Sequence, residues 1–206
     1  MKIKNSINEL AKIFCSGTKE IIEINTNSNI TFSPTIQKIP TTYLKPDIGC
    51  FMQLSGDFSG LVIFNFTGDA AIEIYRNYML NLGMPEDEIT HNFNSNEVTD
   101  SLGEIINQIG GKVRQEIEKT FKISVKNNQP KAITISNSIL ISIASDLTKP
   151  QCRRISFKTA MQKSFYIELA IEQTEFICLF DIEDEETEDF DINNIDIESL
   201  IAEQNS

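Results

Sequence analysis

Apolar residues recur along this chain with two periods, and the change from one to the other divides it. Near the N-terminus Ile3, Ile7, Leu10, Ala11 and Phe14 fall on one helical face, which predicts an amphipathic helix ending near Gly17. Residues 21–24, Ile-Ile-Glu-Ile, fit either a short strand or the frayed end of that helix. Residues 25–45 are rich in Asn, Thr, Ser and Pro and read as a connector with one extended piece at 30–32. Residues 51–54 and 61–66 then read as two strands around Ser55-Gly56-Asp57-Phe58-Ser59-Gly60, a glycine-bounded hairpin turn. Residues 70–82 return to helical spacing, with Gly83 as the stop and Pro85 barring continuation. Residues 86–96 are polar, with a partly helical reading.

The longest periodic stretch is 97–120. Val98, Leu102, Ile105, Ile106, Ile109, Val113 and Ile117 form its apolar face. At about 100° per residue, Asp100, Glu104, Asn107, Gly111 and Arg114 gather on the opposite side. After it come short β-branched or aromatic runs at 121–125, 132–135, 139–144, 154–158, 165–171 and 176–180, separated by polar turns. These read as a meander. Helices first and strands mostly after predict an α+β two-layer sandwich, long helices covering one face of a largely antiparallel sheet.

Charge changes this picture only at the C-terminus. The 206 residues hold 18 Lys+Arg and 30 Asp+Glu, a net charge of −12. Of those acids, 11 lie in 181–206, where no base occurs; the remaining 19 are balanced by all 18 bases. The expected organisation is therefore one near-neutral domain over 1–180 and an acidic tail over 181–206, for which dense like charge makes disorder the default. Nucleic acid is a poor partner for such a chain. Within the tail Ile197, Leu200 and Ile201 fall at i, i+3, i+4, a short pattern that could fold into a partner's groove.

Cys15, Cys50, Cys152 and Cys178 are scattered, and His91 is the lone histidine, so no zinc spacing is present. They read as small buried hydrophobes in a reducing compartment. The N-terminal apolar residues are interrupted by Lys2, Lys4, Glu9 and Lys12, which argues against a signal peptide or membrane span. The expectation is a cytoplasmic protein, with no membrane and no metal of its own.

The polar face of the long helix carries the candidate chemistry. Asp100-x3-Glu104-x2-Asn107, followed after 22 residues by Pro130, resembles the signature of the CheC/CheX/FliY family of chemotaxis phosphatases. Leu54-Ser55-Gly56-Asp57-Phe58-Ser59-Gly60-Leu61 resembles that family's strand-turn-strand, and residues 70–74 the helix after it. The resemblance is clear over 47–135 and extends over 1–180. Only one E-x-x-N pair occurs, which is the CheX-like condition; in the first helix Glu9 and Glu20 are followed three positions later by Lys12 and Glu23.

The resemblance implies a fold, a substrate and roles. The fold would be the CheX-like sandwich. The substrate would be the aspartyl-phosphate of a phosphorylated CheY-type receiver domain. That partner brings its own Mg²⁺ and lysine, so this chain would need no cofactor. Asn107 would hold the attacking water in line, as a water-positioning Gln does in GTPases. Glu104 would pair with the receiver lysine. Asp100 would cap the helix or touch the partner, and Pro130 would shape a strand start. A homodimer formed through the sheets is also implied. Residues 196–201 resemble the E-I-D-A-L-L peptide by which flagellar switch proteins bind CheY, which would tether a receiver nearby.

Plainer readings stand beside these. Ser101-x-x-Glu104 is also a capping box, and Asn107 could be ordinary surface. Gly103, Gly110 and Gly111 could admit a partner's backbone or simply pack on the sheet. Lys131 and Ser136-Asn137-Ser138 depart from the glycine-containing loop the family leads one to expect. A non-catalytic scaffold for receivers or flagellar-switch partners is the alternative function.

Overall fold

The structure, a computed structural model, describes residues 6–45, 47–135 and 150–176, together with the backbone of residues 139–140. It opens with helix α1 (Ser6–Thr26), then short strands β1 (Thr31–Phe32), β2 (Gln37–Ile39) and β3 (Tyr43–Leu44). The hairpin strands β4 (Ile48–Gly56) and β5 (Gly60–Phe66) lead into helices α2 (Gly68–Asn81) and α3 (Asn96–Phe121). Strands β6 (Val125–Asn127), β7 (Lys131–Thr134), β8 (Ile139–Leu140), β9 (Gln151–Lys158) and β10 (Ser164–Ile171) complete it.

Eight of these strands form one sheet in the order β1-β9-β10-β5-β4-β6, with β2 also on β9 and β7 also on β4; every pairing is antiparallel. The predicted class, long helices on an antiparallel sheet, is the one observed. The sheet is not a simple meander, because β5 and β10, a hundred residues apart in sequence, pair at its centre along seven residues.

The three helices pack on one face. Val62, Phe64 and Phe66 of β5 and Phe165, Ile167 and Leu169 of β10 meet the apolar faces of α1 and α3 there, all at most 2% exposed. Phe66, Phe165 and Phe157 stack in a row with centroids 5.2 and 4.9 Å apart, the offset geometry aromatic rings prefer.

Helix α1 runs nine residues past Gly17, so that glycine does not end it. A Cβ on Gly17 would lie 2.9 Å from Val113 Cγ2: the glycine is spent on a close crossing of α1 over α3. Residues 21–24 are accordingly helical. The connector holds three short strands rather than one. Of the predicted strand at 121–125 only Val125 is strand, where β6 opens, since α3 extends to Phe121 and ends at Lys122 in the left-handed conformation (φ 56°). Of the predicted strand at 139–144, residues 139–140 are strand and the rest lie outside the described residues. Phe176 carries no strand, and 177–180, like the acidic tail with Ile197, Leu200 and Ile201, lie outside the described residues.

The sheet's other face is also covered, and by the connector. Leu44 (1% exposed) packs with Leu61, Ile63, Ile135, Cys152 and Ala170 in a second, smaller core. The backbone of Tyr43 and Lys45 is fastened to two buried side chains of the sheet. Tyr43 N donates to Glu168 Oε2 (2.8 Å), Lys45 N to Asn65 Oδ1 (2.7 Å), and Asn65 Nδ2 to Tyr43 O (2.9 Å). Arg154 closes the remaining side of Glu168 with two bonds of 2.9 and 2.6 Å and lies over the Tyr166 ring at 5.0 Å.

Cys15, Cys50 and Cys152 are free and buried. Burial pushes the Cys15 and Cys50 thiols from 9.0 up to about 12. A folded-state value above the unfolded one stabilises the protein fully below pH 9, and that stabilisation is lost as pH rises toward 12. At pH 8 these three thiols should therefore resist a thiol-specific reagent such as Ellman's reagent in the native protein and react once it is denatured. Fast native labelling of Cys50 would contradict its placement.

Candidate functional site

The polar pair rides on α3, whose start is fixed well before it. Ser95 caps the helix, its hydroxyl accepting from Val98 N at 3.4 Å. Glu104 thus lies in the third turn, where backbone N–H groups already have helical partners, and the capping-box reading of Ser101-x-x-Glu104 falls. Asp100 likewise is not a cap; it is an exposed residue one turn before Glu104. Seven apolar residues from Val98 to Ile117 anchor the opposite side at 1% exposure or less. Glu104 and Asn107 consequently stand about 4.5 Å apart along the axis of a helix that cannot readily roll.

Across from this face lies the loop between β6 and β7 and the start of β7. Thr99, Asp100, Gly103, Glu104 and Asn107 form one wall of an open cleft of about 410 Å³, and Gln129, Pro130, Lys131, Ala132 and Ile133 the other. All four positions of the signature, including Pro130, therefore meet in one depression. Pro130 is buried and immediately precedes β7, so the strand start and the cleft wall are the same residue. Gly111 and Arg114 lie further along the same helical face and do not line the cleft. Thr99, Gln129, Ala132 and Ile133 carry no local signal that marks them for this site, and Lys131 stands out in the sequence only as a departure from the family's loop. The pairing of β7 with residues 48–51 of β4, which brings them here, is a long-range register that no local pattern encodes.

Glu104 and Asn107 are both exposed. Asn107 has no hydrogen-bond partner among the described residues, while Glu104 Oε1 accepts from Gln108 Nε2 at 3.5 Å. No group of three or more His, Cys, Asp or Glu among the described residues could hold a metal ion. What the cleft offers is an exposed carboxylate, a carboxamide free to donate and accept, and a nearby lysine: a surface for positioning and charge pairing.

The glycines of α3 separate into two kinds. A Cβ on Gly110 would meet Met52 Sδ at 2.8 Å, so this glycine seats the helix on β4. Cβ atoms on Gly103 and Gly111 would meet nothing within 4 Å. Internal packing does not explain them, although each costs the helix about 1 kcal/mol relative to alanine. They leave the helix surface flat on either side of the pair. Gly103→Ala should therefore raise stability by about 0.5–1 kcal/mol, read from chemical denaturation; a loss of stability would mean the space beside it is not free.

Three helices layered over an antiparallel sheet is the fold of the CheX and CheC-like chemotaxis proteins. Among solved structures, the chemotaxis protein CheX of Desulfovibrio desulfuricans superposes with a TM-score of 0.65 at 22% identity, covering 80% of this chain and 99% of that one. FliY of Thermotoga maritima gives 0.60 at 12% identity over 84% and 93%. CheX from the CheX–CheY–BeF3–Mg²⁺ complex of Borrelia burgdorferi gives 0.55 at 14% identity over 79% and 97%. At these identities the likeness is one of fold. No curated protein matches the sequence. The chain belongs to the family described as "Protein of unknown function (DUF3334)", whose model matches residues 2–205. No helix among the described residues is long and apolar enough to cross a membrane.

Proposed function

We propose that this protein is a CheX-like phosphatase that hydrolyses the aspartyl-phosphate of a CheY-type receiver domain. The observation that carries the reading is the convergence of Asp100, Glu104, Asn107 and Pro130 on one open cleft, with Glu104 and Asn107 exposed on a rigidly anchored helix. Support for the partner comes from the similarly folded CheX that is described in complex with CheY, BeF3 and Mg²⁺.

An acyl phosphate needs little chemical help to hydrolyse beyond an aligned water. Asn107 can accept a hydrogen bond from that water and donate one to the phosphoryl group or the receiver, which fixes the water in line. Glu104 pairs with a cationic side chain of the partner, most naturally its active-site lysine, and sets the docking register. The Mg²⁺ comes with the receiver, where it neutralises charge on the transferring phosphoryl group. The bare helix surface at Gly103 and Gly111 lets the receiver's backbone approach. Gly103→Ala should weaken docking even as it stabilises the fold, an opposition of sign that a purely structural glycine would not give.

The test is to phosphorylate a panel of CheY-type receivers with acetyl phosphate and follow their decay with and without this protein. Acceleration for at least one receiver is expected. If every receiver decays at its own rate, the enzyme reading is overturned; binding without acceleration would instead favour a non-catalytic scaffold.

A further inference from the structure

The carboxylate of Glu104 belongs to a chain of side-chain amides that links α3 to α1, and this chain has a direction. Asn25, in the last turn of α1, donates from Nδ2 to Ile21 O at 2.9 Å. A backbone carbonyl can only accept, so this bond fixes which end of the Asn25 amide is NH2. The same Nδ2 donates to the side chain of Gln108 at 2.8 Å, which obliges Gln108 to present Oε1 there. Its NH2 group is thereby turned the other way, onto Glu104 Oε1, at 3.5 Å the long and weak member of the series. From behind, Asn81 of α2 donates to the carbonyls of Asn25 (3.0 Å) and Ile24 (3.4 Å), tying down the end of α1 that holds the relay.

We propose that Gln108, oriented by Asn25, is a positioning residue that presets the Glu104 carboxylate for its partner. The assignment rests on the receiver-docking reading of Glu104. Holding one oxygen from the side leaves Oε2 with no partner among the described residues. It also restrains a glutamate whose rotamers would otherwise all be open on an exposed helix face, so less freedom is lost on docking. The carboxamide suits this task better than lysine or arginine would, because it orients the carboxylate without neutralising the charge the partner is to meet.

Two measurements test it. In the free protein, Glu104→Ala and Asn25→Ala should each shift the ¹⁵N–¹H signals of the Gln108 side-chain NH2; if neither moves them, the relay does not exist. Binding to a receiver loaded with Mg²⁺ and beryllofluoride is then measured in a double-mutant cycle. Gln108→Ala should weaken binding by about three- to tenfold in the wild-type background and leave it unchanged in the Glu104→Ala background. An equal loss in both backgrounds, or no loss in either, overturns the positioning role. Gln108→Glu, which retains length but cannot donate when ionised, should fail to restore binding. If the wild-type protein binds no receiver, the docking reading fails by itself and the relay is judged on the NMR signals alone.

Discussion

Alanine at position 107 is expected to reduce the acceleration of receiver dephosphorylation by about 100-fold, the scale on which misplacing a reacting group acts. Receiver affinity should hardly change. The prediction is sharp because Asn107 is exposed and makes no hydrogen bond among the described residues, so removing its amide takes nothing from the fold. Asparagine is a poor residue for the middle of a helix, and the variant should be marginally more stable than wild type, by a few tenths of a kcal/mol on the helix-propensity scale. A loss of rate without loss of binding or stability separates water positioning from docking, and Glu104→Ala should show the converse bias toward binding. Single-turnover decay of a phosphorylated receiver at saturating protein reads the effect directly. Undiminished acceleration in Asn107→Ala would remove the proposed mechanism.

Glu168→Ala carries the largest expected effect on stability. The side chain is fully buried and accepts two bonds from Arg154 and one from Tyr43 N. Its removal strands the backbone N–H of Tyr43 and leaves a guanidinium without its partner. Breaking a buried pair in this way costs about 3–5 kcal/mol. Because the Arg154 side chain is 26% exposed and can recover some water, the lower end of that range is expected. Urea unfolding would measure the loss. Glu168→Gln, which still accepts from Tyr43 but pairs less well with Arg154, should lose less. Near-wild-type stability in Glu168→Ala would show that residues 42–45, the strap over the outer sheet face, are held by apolar contact alone.

The layered class and the polar pair were legible in the sequence because both rest on local periodicity. The face Val98–Ile117 alternates every three to four residues, and whatever lies opposite it must point outward. The hairpin was legible for the same reason, with two apolar runs around Gly56 and Gly60. The misreadings arise where a residue serves a distant neighbour. Gly17 looks like a helix stop and is a helix crossing, a role visible only once Val113 is placed against it. The connector reads as polar loop because its strands are two or three residues long and their partners are distant: β1 and β2 pair with β9, and the backbone of Tyr43 and Lys45 is held by Glu168 and Asn65, 125 and 20 residues away. The second wall of the cleft was hidden likewise. Pro130 stood in the signature, but that Gln129 to Ile133 face Glu104 depends on the β4–β7 register.

The strap has a bearing on how copies of this chain can meet. Strand β5 is buried along its whole length, Asn65 included, because helices cover one side of the sheet and residues 42–45 the other. A second copy that packed on the sheet where residues 42–45 lie would have to prise out Leu44 and break the bonds to Glu168 and Asn65. Pairing of two sheets face to face would then be slow, would depend on local unfolding, and would be quickened by the same substitutions that loosen the strap. Strap-weakened variants such as Glu168→Ala should for that reason be the ones that aggregate first on warming.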